Sequence, residues 1–387
     1  MASTAFRLSA GLAAAALLAS AGGSSSASQS SVGPFAFLAP DVVVSTSDMR
    51  RLDRDETIVR TLRGDDGQVA VFAATRLKAP PDALVTWTHA IADLKRSKFV
   101  LAARRFSDPP TLSDLDGLSL DPGDLDRIRE CKPGDCALKL SAAEIESLSR
   151  VAKGAGADRD EPVQAAFRRL VLARVNVYRA AGLAGLPPTV ERSKPARLDE
   201  AFAAILSRSS FLMRVPHVAR WLEAYPGVTD QSIESFFYWS KESYGSGKPV
   251  ISVTHVGITR PEPDRGAPAV LVAGKQILAT HYQGGSLGLT MVLRDEEKKV
   301  TYLAYLNRSR VDVVTGFFGG LVRGVLEGRL ERDAPQIIRG LRARLESGMP
   351  PAGTFEIPGP GFAVIPGGPG SGKPVPRSTS NRRVTWE

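Results

Sequence analysis

Between residues 35 and 349 the spacing of hydrophobic and polar positions changes period, and the changes divide the chain into elements. Val69-Ala-Val-Phe-Ala-Ala-Thr-Arg-Leu77 has the β-branched, alternating character of a strand. Ala79-Pro80-Pro81-Asp82 then opens a helix over Ala83 to Arg96, because proline is tolerated in the first turn of a helix and not later. Phe99 to Phe106 predicts a second strand, closed by Asp108-Pro109-Pro110, and an acidic, loop-rich stretch runs from Asp114 to Asp126. From Ser141 to Tyr225 the period is helical. Val163, Phe167, Leu170 and Val177 fall on one face, with Arg168, Arg169 and Arg179 largely off it as the solvated side. Phe202, Ile205, Leu206, Trp221 and Leu222 mark further helices.

Strand signals then repeat over Ile233 to Ser243, Val250 to Thr259, Ala269 to Tyr282, Ser286 to Arg294 and Val300 to Arg310. The connections between them are short, and short connections join only antiparallel neighbours. A five-strand meander follows. In its fourth strand Leu287, Leu289, Met291 and Leu293 share one face, which needs an apolar cover. The pattern assigns that cover to a last helix starting near Asp312, which carries Gly316, Gly320, Gly324 and Gly328 at every fourth position. Each interior glycine costs about 1 kcal/mol against alanine, so the stripe is expected to pack closely on the sheet or to leave room for a ligand. Arg323, Glu327 and Arg329 exclude a membrane-embedded glycine-stripe dimer. The expected fold class is α+β, a curved antiparallel sheet packed on a long C-terminal helix, with a helical segment inserted at about 141–225.

Composition and charge bound the partners. The chain has 387 residues, is 43% hydrophobic and carries a formal net charge of +9. Residues 1–21, with Arg7, an apolar run from Leu8 to Leu18 and Ala19-Ser20-Ala21, have the layout of a secretory signal peptide, and 22–34 read as a flexible spacer. Residues 350–387 are rich in proline and glycine and read as a disordered tail. The tail contains Gly367-Gly-Pro-Gly-Ser-Gly372-Lys373, but Pro374 stands where a phosphate-binding loop needs Ser or Thr. The expected location is therefore periplasmic or secreted, which makes nucleic acid the wrong partner for the positive charge and an anionic membrane surface a better one. In that compartment Cys131 and Cys136, around Lys132-Pro133-Gly134-Asp135, are expected to form a local disulfide.

Few residues argue for catalysis. Gly284-Gly285-Ser286-Leu287-Gly288 fits the nucleophile-elbow spelling, but a strand continues after it and no histidine follows, so a glycine-rich hairpin turn is expected. His255 and His281, preceded by threonine on neighbouring strands, are candidate polar groups in a cavity, and Arg308 at a strand end could hold an anionic head group. Asn307-Arg308-Ser309 spells a glycosylation sequon inside a strand and is set aside. No catalytic set, metal site or cofactor is expected.

The order of elements, with Val71-Phe-Ala-Ala-Thr-Arg-Leu-Lys-Ala-Pro-Pro-Asp82 at its start, resembles the START/polyketide-cyclase-like helix-grip superfamily over about residues 69–346. The likeness is one of layout, and the helical segment at 141–225 departs from the family pattern. The resemblance implies that 35–349 form one START-like domain with a cavity between sheet and last helix. An apolar or amphipathic, lipid-like small molecule is the expected ligand, with His255, His281, Arg308, Met291, Gly320 and Gly324 around it. A cyclase-type enzyme using the same cavity, or an envelope scaffold or interaction protein, are the alternative readings.

Overall fold

The computed structural model describes residues 33–350 apart from 63, 65–66, 156–159, 191–193, 244–246, 263–265 and 313–318. The signal-like segment, most of the spacer and the Pro/Gly-rich tail therefore lie outside the described residues. The strands are β1 (Ile58–Leu62), β2 (Gln68–Leu77), β3 (Val100–Arg105), β4 (Glu234–Glu242), β5 (Val250–Thr259), β6 (Val270–Ala279), β7 (Gln283–Asp295) and β8 (Val300–Val311). They form one antiparallel sheet in the order β1-β2-β8-β7-β6-β5-β4-β3. This is the expected α+β class, an open curved antiparallel sheet with a C-terminal helix. The meander is present with its boundaries moved by a few residues, and β1 is an additional edge strand.

The helices are α1 (Thr46–Asp53), α2 (Asp82–His89), α3 (Ile91–Lys95), α4 (Pro122–Ile128), α5 (Ala142–Gly154), α6 (Asp160–Gly185), α7 (Leu198–Leu206), α8 (Pro216–Ala224) and α9 (Gly319–Glu346). The single helix expected over 83–96 is broken at Ala90, whose ψ of 51° leaves the helical range. α5 begins with a reciprocal capping box between Ser141 and Glu144, satisfying donors that a helix start leaves without partners. Cys131 and Cys136 are joined by a disulfide around a turn in which Gly134 has a φ of 88°.

Both faces of the sheet are covered, by different layers. One face carries Ala73, Leu77, Val256, Ile258, Val292 and Leu303 and packs against Leu84 and Trp87 of α2 and Ile338 and Leu345 of α9. The opposite face carries Phe72, Leu271, Leu287, Leu289, Met291 and Leu293. It packs against Phe35 and Phe37 of a 3-10 turn, Phe202 and Ile205 of α7, and Trp221 and Leu222 of α8. This corrects the expected pairing of the Leu287/Leu289/Met291/Leu293 face with the last helix. Side chains alternate across a strand, and α9 docks on β1 and β2 from the other side. Gly316 lies outside the described residues, and Gly320 and Gly324 lie within α9 where surroundings are not described. A side chain at Gly328 would meet open space, so close packing on the sheet does not extend to this glycine. Gly284 to Gly288 belong to β7, a strand and not a hairpin turn.

Candidate functional site

In a sheet covered on both faces, both sets of alternating side chains are normally apolar. β7 and β8 depart from that rule on the α9 face. Ser286, Gly288 and Thr290 alternate with Leu287, Leu289 and Met291, and Tyr305, Asn307 and Ser309 alternate with Ala304, Leu306 and Arg308. The two sets also differ in exposure. Leu287, Leu289, Met291, Ala304 and Leu306 are at most 1% exposed, whereas Gly288, Thr290, Tyr305 and Asn307 are only half-buried although they sit mid-sheet. The register puts Gly274, Gly288 and Asn307 on one rung and Val272, Thr290 and Tyr305 on the next. Glycine at both 274 and 288 removes side-chain bulk from the floor. An added carbon at 288 would meet Asn307 Nδ2 at 3.6 Å and Tyr305 Oη at 3.7 Å, ordinary contact distances.

The polar groups of this recess are ordered by one another. Asn307 Nδ2 donates to Ser286 Oγ at 3.1 Å, Ser309 Oγ donates to Asn307 Oδ1 at 2.7 Å, and the two serines lie 2.8 Å apart. On the β4 side Ser240 Oγ donates to Glu242 Oε1 at 2.7 Å, and Lys95 Nζ lies 2.5 Å from Glu242 and donates to Tyr238 Oη at 3.4 Å. Gln276, beside Thr254 on this face, donates to Gln283, while its own Oε1 is buried with no hydrogen-bond partner among the described residues. A buried acceptor left in that state is unusual in a native protein. The Tyr305 hydroxyl is pushed up to about 12, first by burial and then by Tyr238 and Glu242, against the opposing charge of Lys95. Tyr305 on β8 and Tyr238 on β4 thus feel each other although three strands separate them, a consequence of the sheet's curvature. The arrangement offers neutral donors and acceptors beside one ion pair, with apolar Val256, Ile258 and Phe236 at its margin. It can hold a polar group by hydrogen bonds; no His/Cys/Asp/Glu group able to hold a metal exists among the described residues.

His255, His281, Arg308 and Met291, singled out from the sequence, lie elsewhere. His255 is fully buried on the opposite face, stacked on Phe237 with centroids 4.4 Å apart, and its Nδ1 lies 3.1 Å from the Tyr178 hydroxyl. His281 is pinned outside the strands, Nδ1 at 3.0 Å from the Ala137 carbonyl and Nε2 at 2.9 Å from Asp124, which also pairs with Lys248. Arg308 and Met291 face the same layer as His255. The structure therefore brings His255 and Arg308 to one rung, leaves His281 apart, and puts none of them in the α9 recess. The recess residues were visible only as polar residues recurring every second position, and Asn307 only as the discarded sequon.

On the α9 face the open eight-strand sheet thus presents half-buried hydroxyl and amide groups at mid-sheet. No family model matches the chain, and no curated protein matches it. Among solved structures, the crystal structure of TTHA0849 from Thermus thermophilus aligns at 9% identity over 39% of this chain and 91% of that one, with a TM-score of 0.22. The Zhui aromatase/cyclase from a Streptomyces species aligns at 13% identity over 40% of this chain and 92% of that one, also at a TM-score of 0.22. Similarity at that level carries no functional weight.

Proposed function

We propose that the chain is an exported protein that binds an amphipathic small molecule in the recess on the α9 face. The observation that carries this reading is the half-burial of Gly288, Thr290, Tyr305 and Asn307 at mid-sheet, where the alternate residues are sealed. Tyr238, Tyr305, Asn307 and Gln276 would receive the polar part, and Val256, Ile258 and Phe236 the apolar part. A lipid-like ligand with a hydrogen-bonding head satisfies both, whereas a plain hydrocarbon would leave the floor without partners. Export is supported by the signal-like N-terminal sequence and by the Cys131–Cys136 bond, and no helix among the described residues is long and apolar enough to cross a membrane. A net charge of +9 suits approach to an anionic membrane surface. Binding is favoured over a cyclase-type reaction because the two histidines offered for acid/base work do not reach the recess.

The test uses the amphipathic dye 1-anilinonaphthalene-8-sulfonate with wild-type protein and Gly288→Phe. The first carbon of the new side chain makes only ordinary contacts, with Asn307 and Tyr305, and the ring is introduced to compete with the dye there. Dye binding is expected to weaken at least tenfold while the melting temperature stays close to wild type, and native mass spectrometry of the purified protein should show a bound species that the variant lacks. Dye affinity and stoichiometry unchanged by Gly288→Phe in a folded protein whose α7–α8 groove is blocked by Ala203→Trp overturn the proposal.

A further inference from the structure

The opposite face holds a second constellation. Phe237, His255, Lys275, Leu287 and Arg308 are successive cross-strand partners on one rung of the sheet. Lys275 is 1% exposed. Its Nζ donates to the Leu222 carbonyl at the end of α8 at 2.7 Å, and stands 5.2, 5.4, 5.7 and 5.9 Å from the ring centroids of Tyr178, Phe202, Trp221 and Tyr225. Four aromatic faces favour a cation there, yet no carboxylate among the described residues forms an ion pair with it. Beside it, the fully buried His255 has an Nε2 with no hydrogen-bond partner among the described residues. Burial alone brings the Lys275 amine down to about 7, and burial followed by the Lys275 charge holds the His255 imidazole well below its usual value.

Two rings of this cage are also the wall of a cavity. A groove of about 1120 Å³ opens between α6, α7, the 210–214 turn and α8, lined by Leu183, Phe202, Leu206, Leu212 and Tyr225, with the well-exposed Met213 at its lip. Its acidic groups are Asp199, bound by Arg197, and Glu223. The groove is of small-molecule size and mostly apolar.

We propose that this groove binds an amphipathic monocarboxylate, with the hydrocarbon chain along the groove and the carboxylate between Phe202 and Tyr225 on Lys275 Nζ and His255 Nε2. The carboxylate supplies the counter-charge that no described carboxylate gives Lys275, and a charge-assisted hydrogen bond in an apolar surround is a strong one. Asp199 and Glu223 repel an anionic head, which orients it inward. Phe202 and Tyr225 part to admit it. The site lies across the sheet from the α9 recess and does not depend on ligand binding there.

Dodecanoate below its micelle concentration and dodecanol below its solubility limit are titrated into the full-length protein by calorimetry, with tryptophan emission as the second readout because Trp221 stands in the cage. Dodecanoate is expected to bind at least tenfold more tightly than dodecanol. Lys275→Met should erase that difference, Ala203→Trp in the groove should weaken both, and Gly288→Phe should change neither. Equal affinity for the two compounds in the wild type, or a preference for dodecanoate that survives Lys275→Met, overturns the proposal. The wild-type comparison decides even if the Lys275 variant fails to fold.

Discussion

Lys275 shows how a single residue sets a condition on the whole fold. Its amine titrates at about 7 when folded, against 10.5 for a free lysine. Below the lower value both states hold the proton, and between the two values only the unfolded chain does. Stability should thus rise with pH across that window, by at most about 1.4 kcal/mol per pH unit, and level off above it. Lys275→Met is expected to abolish the slope and to be more stable than wild type near pH 7, as when buried charges give way to apolar groups. Urea unfolding of both proteins at several pH values across the window checks this, and parallel curves would contradict it. A residue that destabilises the fold at neutral pH calls for a function, consistent with a ligand site on that rung. His255 and Arg308 were legible as charged or polar residues inside apolar strands. Lys275 in Val-Leu-Val-Ala-Gly-Lys-Gln-Ile carries the same signature, but its burial depends on helices from distant sequence.

Among the elements, α6 shows where periodicity misleads. The spacing predicts a face of Val163, Phe167, Leu170 and Val177, whereas the buried residues are Val163, Gln164, Phe167, Val171, Arg174, Val175, Tyr178 and Gly182, and Val177 is 39% exposed. Arg174 turns inward because Glu144, held in the α5 capping box, pairs with it, a tertiary contact that no local pattern encodes. The helix breaks at Gly182, with a φ of 66°, where a side-chain carbon would sit 2.2 Å from the Tyr225 carbonyl. Gly182→Ala therefore meets both a left-handed backbone and a backbone clash. It should cost about 2 kcal/mol or more, measured by chemical denaturation, since the strain and overpacking terms each contribute about 1 kcal/mol or more. Because Tyr225 walls the groove, the same substitution should also weaken dodecanoate binding.

For the whole molecule, the strand count of the meander, its antiparallel order and the terminal helix were readable from alternation and turn length. Which layer covers which face was not, because parity along one strand says that two faces differ without saying what lies on each. The segment from Phe106 to Ile233 leaves β3 and returns to β4, which are neighbours at the sheet edge, and the Phe106 amide continues their ladder by donating to the Phe237 carbonyl at 2.9 Å. Replacing residues 108–231 with a short turn should leave every strand pairing possible but bare the Leu271, Leu287, Leu289 and Met291 face. The shortened chain is expected to be insoluble, or to bind the hydrophobic dye strongly, in a solubility assay. A soluble product that binds no more dye than wild type would show that this layer is dispensable for folding.

The strand order has one more consequence. β2 and β3 are consecutive in sequence yet lie near opposite edges of the sheet, so α2 and α3 stretch across the α9 face like a bowstring across a bow. The C-terminal end of α9 is tied to that string, with Trp87 Nε1 donating to the Gly348 carbonyl at 2.8 Å and Arg344 donating to the Arg96 carbonyl. A ligand entering the recess by displacing α9 would therefore find one end of the helix fixed. Both bonds would have to break before the C-terminal end of α9 could leave the string, so the anchored end of this helix is the one that lies against α2 and α3.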